Sequence, residues 1–186
     1  MQNEKFFMTI QSIPSSVAED RLIHNHKTAL IKNKLEDHLK KLQALAESKQ
    51  WMHLQLHTDH PDSGFDWWMF PIDRASTHYG DQYQVTQCEI EMLKNDTSFM
   101  KCYRLGVILV AKSWGWDLEQ RKDAANRLQK WAHYQIRLGK MVASLKLFKQ
   151  DDLRSAITEI IDQKNLRHSL EPWIQQLLTD HDSYKK

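Results

Sequence analysis

The chain is poor in the residues that punctuate or staple a fold: 5 glycines, 4 prolines and 2 cysteines among 186 residues. A many-turned β architecture needs turn residues at short intervals, so their scarcity points to long helices. Cys88 and Cys102 cannot build a disulfide scaffold or a cysteine-only zinc site. Both fall in stretches that read as helix, where a small buried thiol is common. An excess of one charge is also missing. Lys+Arg 26 against Asp+Glu 24 leaves +2, which argues against nucleic acid as a partner and confines any anion site to a local patch. No run approaches the roughly 20 apolar residues of a membrane span. The first residues, MQNEKFFMTIQSIPSS, lack the charged start, apolar stretch and small-residue cleavage site of a secretory leader. The expectation is a reducing, cytoplasmic setting with no membrane partner. A glycine-rich phosphate loop, a G-x-S-x-G elbow and a dinucleotide fingerprint are absent too, which removes the common enzyme chemistries.

What is present is helical periodicity. A hydrophobic fraction of 41% and a charged fraction of 27% are ordinary for a globular protein. The length fits one domain over 1–186, with residues 1–14 an N-terminal arm ending at Pro14. Leu35, Leu39, Leu42 and Leu45 form an amphipathic stripe in a first helix over about 16–49, with a break possible near Asn25. Thr86 and Glu89 have the spacing of a capping box, opening a short helix that ends near Asn95. Asp96 or Thr97 caps the next, in which Phe99, Tyr103, Val107, Val110 and Trp114 recur on one face. Leu105 to Ala111 is almost wholly apolar, as in a central helix, and Gly115 is placed to end it. Asp117, with Gln120 three residues on, reads as the cap of a long helix over 118–148, its buried stripe being Leu128, Trp131, Leu138, Val142, Leu145 and Phe148. Two shorter helices follow at about 151–163 and 170–180, with Pro172 in a first turn. The expected fold is all-α: a single domain of about six helices with one long irregular loop at about 58–85.

Three stretches resemble the conserved N-terminal region of opioid growth factor receptors. Trp68-Met69-Phe70-Pro71 is similar to that family's Trp-Leu-Phe-Pro signature. Val85-Thr86 with Glu89-Ile90 is similar to the helix start that follows it. Ile136 to Phe148 resembles the family's Arg-containing helix, with His133 just upstream and Trp114-Gly115 like its aromatic-glycine helix end. The likeness covers about residues 66–160, and Gly139 stands where the family usually has threonine. It implies a helical fold. Opioid peptide binding, known for better-studied members of that family, is not carried to this chain.

Three constellations bear on chemistry. His53, His57 and His60, with Asp59, Asp62 and Asp66, offer the imidazole and carboxylate donors that suit zinc or another divalent transition metal. Pro61 and the composition around it argue that a helix fails by about Asp59, which separates the donors, and no fourth ligand is evident. No cofactor is therefore favoured, with a metal on His57, Asp59 and His60 as the alternative. Asn126, Lys130, His133, Arg137, Lys140 and Ser144 recur at four and three residues and would share one face of the 118–148 helix. Such a face can bind a carboxylate, a phosphate or an acidic peptide, Arg137 bidentately; the plainer alternative is a solvated charged face. Phe65, Trp67, Trp68 and Phe70 form an aromatic cluster whose alternation would put one set in the core and leave the other for contact. Arg74 in the same loop joins the binding set. The leading expectation is a non-enzymatic module for a protein or acidic peptide, using Lys130, His133, Arg137, Lys140, Trp67, Trp68 and Arg74. The rival is a metal-dependent hydrolase built on the histidine loop, and nucleic-acid binding by the basic stripe is weaker still.

Overall fold

The computed structural model describes residues 15–54, 65–123, 128–131 and 135–179. Among them run eight α-helical segments and one small hairpin, the all-α class expected. The helices are α1 (Ser15–Glu47), α2 (51–54), α3 (Asp66–Met69), α4 (Gln87–Asn95), α5 (Thr97–Ser113), α6 (Gln135–Leu147), α7 (Asp151–Gln163) and α8 (Pro172–Thr179). A 3-10 turn, Arg167–Ser169, precedes α8, and β1 (Trp116–Asp117) pairs antiparallel with β2 (Lys122–Asp123). The two short segments α2 and α3 lie where the pattern changes after residue 50. α1 runs unbroken through Asn25.

The ends of these helices follow from their residues. Thr86 Oγ1 accepts from the Glu89 amide, and the Thr86 amide donates to Glu89 Oε2 at 2.7 Å, a complete capping box. Asp96 Oδ1 accepts from the Phe99 amide at 2.9 Å and opens α5. With glycine scarce, α1, α6 and α7 close on Lys49, Lys149 and Asn165 in the left-handed region, at φ 57°, 54° and 53°. Each is followed by a bond back across the last turn: Gln50 N to Leu45 O, Gln150 N to Leu145 O, and Leu166 N to Ile161 O. At Gly115 (φ 85°) glycine is needed twice over, because a Cβ there would also lie 2.7 Å from the Gln129 carbonyl.

α5 is central, as its composition implies. It packs on α1, α3, α4 and β1, and Phe99, Tyr103, Val107, Val110 and Trp114 are buried. One core runs from Ile31 in α1 to Leu178 in α8. Leu138, Val142, Leu145 and Phe148 join it. Cys88 is exposed and Cys102 half-buried, so only part of the expectation of buried thiols holds.

The long 118–148 helix is not formed. The Gln120 amide does donate to Asp117 Oδ1 at 3.0 Å, but that bond closes the turn of the β1–β2 hairpin, with Arg121 at φ 51°. An aspartate accepting from a nearby backbone amide serves a turn as readily as a helix cap. Leu128 is exposed at 54% and Trp131 is half-buried; neither extends the α6 stripe. In the stretch expected to be loop, Ser76 bridges Gly80 and the Val85 amide bonds Ile72 O at 3.0 Å. The described part of that loop after α3 is irregular, as expected, and these bonds pin it.

Candidate ligand groove between α6 and α8

α6 and α8 approach closely because α6 carries glycine at 139. A Cβ at that position would fall 1.8 Å from Cη2 of Trp173, so the indole lies directly on the α6 backbone. Gln135 fixes the corner from the other side. Its Oε1 accepts from the Glu171 amide at 2.7 Å, and its Nε2 donates to Ser169 O. The segment after α3 completes a groove of about 530 Å³ lined by Ile72, Asp73, Arg74, Ile136, Gly139, Lys140, Ala143, Lys146, Leu147, Trp173, Gln176 and Leu177. Ile136 is 69% exposed and Trp173 41%. Large apolar side chains left open beside one another are more informative than a scattered exposed leucine.

The cations behave differently from one another. Arg74 is exposed on the groove and has no ion-pair partner among the described residues. Lys140 is buried. Its Nζ donates to Asp66 Oδ2 at 2.5 Å, each side chain being 11% exposed, and lies 3.2 Å from the Trp67 ring centroid. Burial holds the Lys140 ammonium below its ordinary pKa; the charge and hydrogen bond of Asp66 oppose that, while Arg137 adds to it. Arg137 is half-buried with its guanidinium 5.6 Å from the Phe65 ring. Ser144 is fully buried and accepts from the Tyr103 hydroxyl at 3.0 Å, and burial pushes that phenol well above its usual pKa.

The basic stripe is therefore corrected. Its periodicity presumed a continuous helix, but the described part of α6 begins at Gln135. Lys140 and Ser144 turn into the core instead of toward solvent, because Asp66 and Tyr103 meet them there. Lys130 is not helical and lines a separate depression with Trp114, Asp123, Trp131 and Lys164. Asn126 and His133 lie outside the described residues. No family model, curated protein or solved structure matches the chain.

The aromatic loop is core for the most part. α3 replaces the expected alternation, so Trp68, Met69 and Phe70 are all buried and Trp67 is half-buried under Lys140. Trp68 meets Tyr83 at 5.3 Å, Tyr79 at 6.4 Å and His38 at 6.2 Å between centroids. Of the binding set read from the sequence, Arg74 and Lys140 come together on the groove. Ile136, Trp173 and Leu177 were missed; an apolar residue in α6 out of phase with the Leu138–Val142–Leu145 stripe was the available signal. Of the metal candidates, His57, Asp59 and His60 lie outside the described residues, while Asp66 is committed to Lys140 and His53 is exposed. Among the described residues no helix is long and apolar enough to cross a membrane.

Proposed function

We propose that the chain is a non-enzymatic binding module that seats a segment of a partner protein, carrying apolar and acidic side chains, in the groove between α6 and α8. The supporting observation is the juxtaposition of exposed Ile136 and Trp173 with Arg74, an exposed arginine with no ion-pair partner among the described residues. Trp and Arg are the residues that most often dominate binding energy, and an apolar anchor beside a cation selects amphipathic acidic sequences. Lys140 serves as wall and support: its ammonium is held by Asp66 over the Trp67 ring, so it shapes the groove wall instead of reaching for ligand.

The test is selection of displayed random peptides against the full chain, followed by titration of a selected peptide by fluorescence anisotropy. The selected sequences should pair an acidic residue with an aromatic or aliphatic one. Arg74→Glu and Ile136→Glu should each raise Kd by about tenfold or more, the equivalent of roughly 1.4 kcal/mol. Lys101→Glu, on an exposed face of α5, should leave Kd unchanged. Failure to select any peptide, or binding indifferent to Arg74 and Ile136, would refute the reading.

A further inference from the structure

Residues 19–23 of α1 stand apart from the core. Glu19, Asp20, Arg21, Leu22 and Ile23 are all exposed, and the first buried side chain described in the helix is Thr28. The base of this segment is anchored: His24 Nδ1 lies 3.0 Å from Glu89 Oε1, and Lys27 Nζ lies 3.7 Å from the same atom. The projecting part is therefore held in a set direction from α4. Leu22 and Ile23 are 67% and 62% exposed, and with His26, Leu30 and Gln82 they border an open groove of about 830 Å³.

The charges on this face have an order. Helical spacing puts Glu19, Ile23, Lys27 and Leu30 on one side, flanked by Asp20 and His26, with Arg21 turned away. Both acids lie within one turn before Ile23, and both nitrogenous side chains within one turn after it. A second α1 laid antiparallel about a two-fold axis at Ile23 would bring residue 46 minus i opposite residue i. Glu19 of one copy would then meet Lys27 of the other, and Asp20 would meet His26, with the two Ile23 side chains packed at the axis. Parallel pairing would place acid on acid. A self-complementary patch is what an isologous dimer requires.

We infer that this face of α1 is a homodimer seam in which two copies pair antiparallel about Ile23. Residues 15–30 span about 24 Å of helix. A two-helix seam of that length is at the small end of specific interfaces, so the dimer forms in the upper micromolar range and not at nanomolar concentration.

Sedimentation equilibrium of the full chain at low salt, from about 10 µM to about 1 mM, tests it. The mass-average should rise from 22.1 kDa toward twice that value with one dissociation constant. Ile23→Glu should raise that constant by about a hundredfold, since the change falls twice on the axis at about tenfold each. Circular dichroism should show unchanged helicity, because Ile23 touches little of its own fold. Asp20→Lys should weaken the dimer, and adding His26→Glu should restore it, an outcome specific to antiparallel pairing. A monomer at every concentration overturns the inference, whether residues 1–14 or another protein covers the face. So does a dimer that Ile23→Glu leaves intact. Neither outcome touches the α6–α8 groove, which lies on other elements.

Discussion

Lys140–Asp66 and Arg104–Asp152 both bring a cation to an aspartate at 2.5 Å, yet the two pairs sit in opposite environments. The first is 11% exposed on each side, with the ammonium over the Trp67 ring. The second is bidentate and 36% and 57% exposed, joining α5 to the first turn of α7. Distance alone does not rank them. Desolvation does: inside, each charge depends on the other, whereas outside water replaces a lost partner. The groove is built on the first kind of pair and opened to solvent by residues such as Arg74, which has no ion-pair partner among the described residues. On the proposed function, support and recognition fall to different cations on the same wall.

The largest test of that contrast is Asp66→Ala, which leaves the Lys140 ammonium buried and uncompensated. A loss of about 3–5 kcal/mol in urea unfolding is expected. The double variant Asp66→Leu with Lys140→Met should regain most of it. Next comes Gly139→Ala. In an ordinary helix interior that change stabilises by about 1 kcal/mol. Here the new Cβ displaces Trp173, and a net loss of about 1–3 kcal/mol is expected by thermal unfolding. A gain would mean that the α6–α8 contact is looser than the 1.8 Å approach implies.

Acid titration sharpens the comparison from the carboxylate side. For Glu89, burial alone would raise the pKa, but hydrogen bonds from His24 and Thr86 and the charge of Lys27 outweigh it and hold it below its ordinary value. Asp96 is lowered by Lys32, Asp152 by Arg104 and Asp162 by Arg167. The folded state then binds fewer protons than the unfolded one, so stability is present above the ordinary carboxylate range. It falls as pH drops through about 4.5 and below. Glu89→Gln should flatten that slope in pH-dependent urea unfolding; an unchanged slope would remove Glu89 from this account. The smallest effect belongs to Asp152→Ala, about 1 kcal/mol or less.

Where local chemistry decides, the sequence was a reliable guide. Thr86 with Glu89, Asp96, Gly115 and Pro172 mark helix ends as expected, and the α5 stripe from Phe99 to Trp114 is core. It misled where one local signal serves two structures. Asp117 with Gln120 satisfies a helix cap and a hairpin turn equally, and tertiary packing around Trp114 and Trp116 goes with the turn. That single difference splits the apparent polar stripe. The site was less legible than the fold because it joins residues far apart in the chain: Arg74, Ile136 and Trp173 share no motif, and only the close fit of Gly139 to Trp173 unites them. The inward turn of Lys140 depends on Asp66, 74 positions away, which helical spacing cannot reveal.

The most direct measurement is the indole N–H spectrum of the chain, which holds 7 tryptophans, during titration with a selected acidic-apolar peptide. The Trp173 resonance should shift progressively with peptide while those of the core residues Trp114 and Trp116 stay in place, and Arg74→Glu should suppress the shift. Peptide binding that leaves Trp173 unmoved would contradict the groove as the binding site.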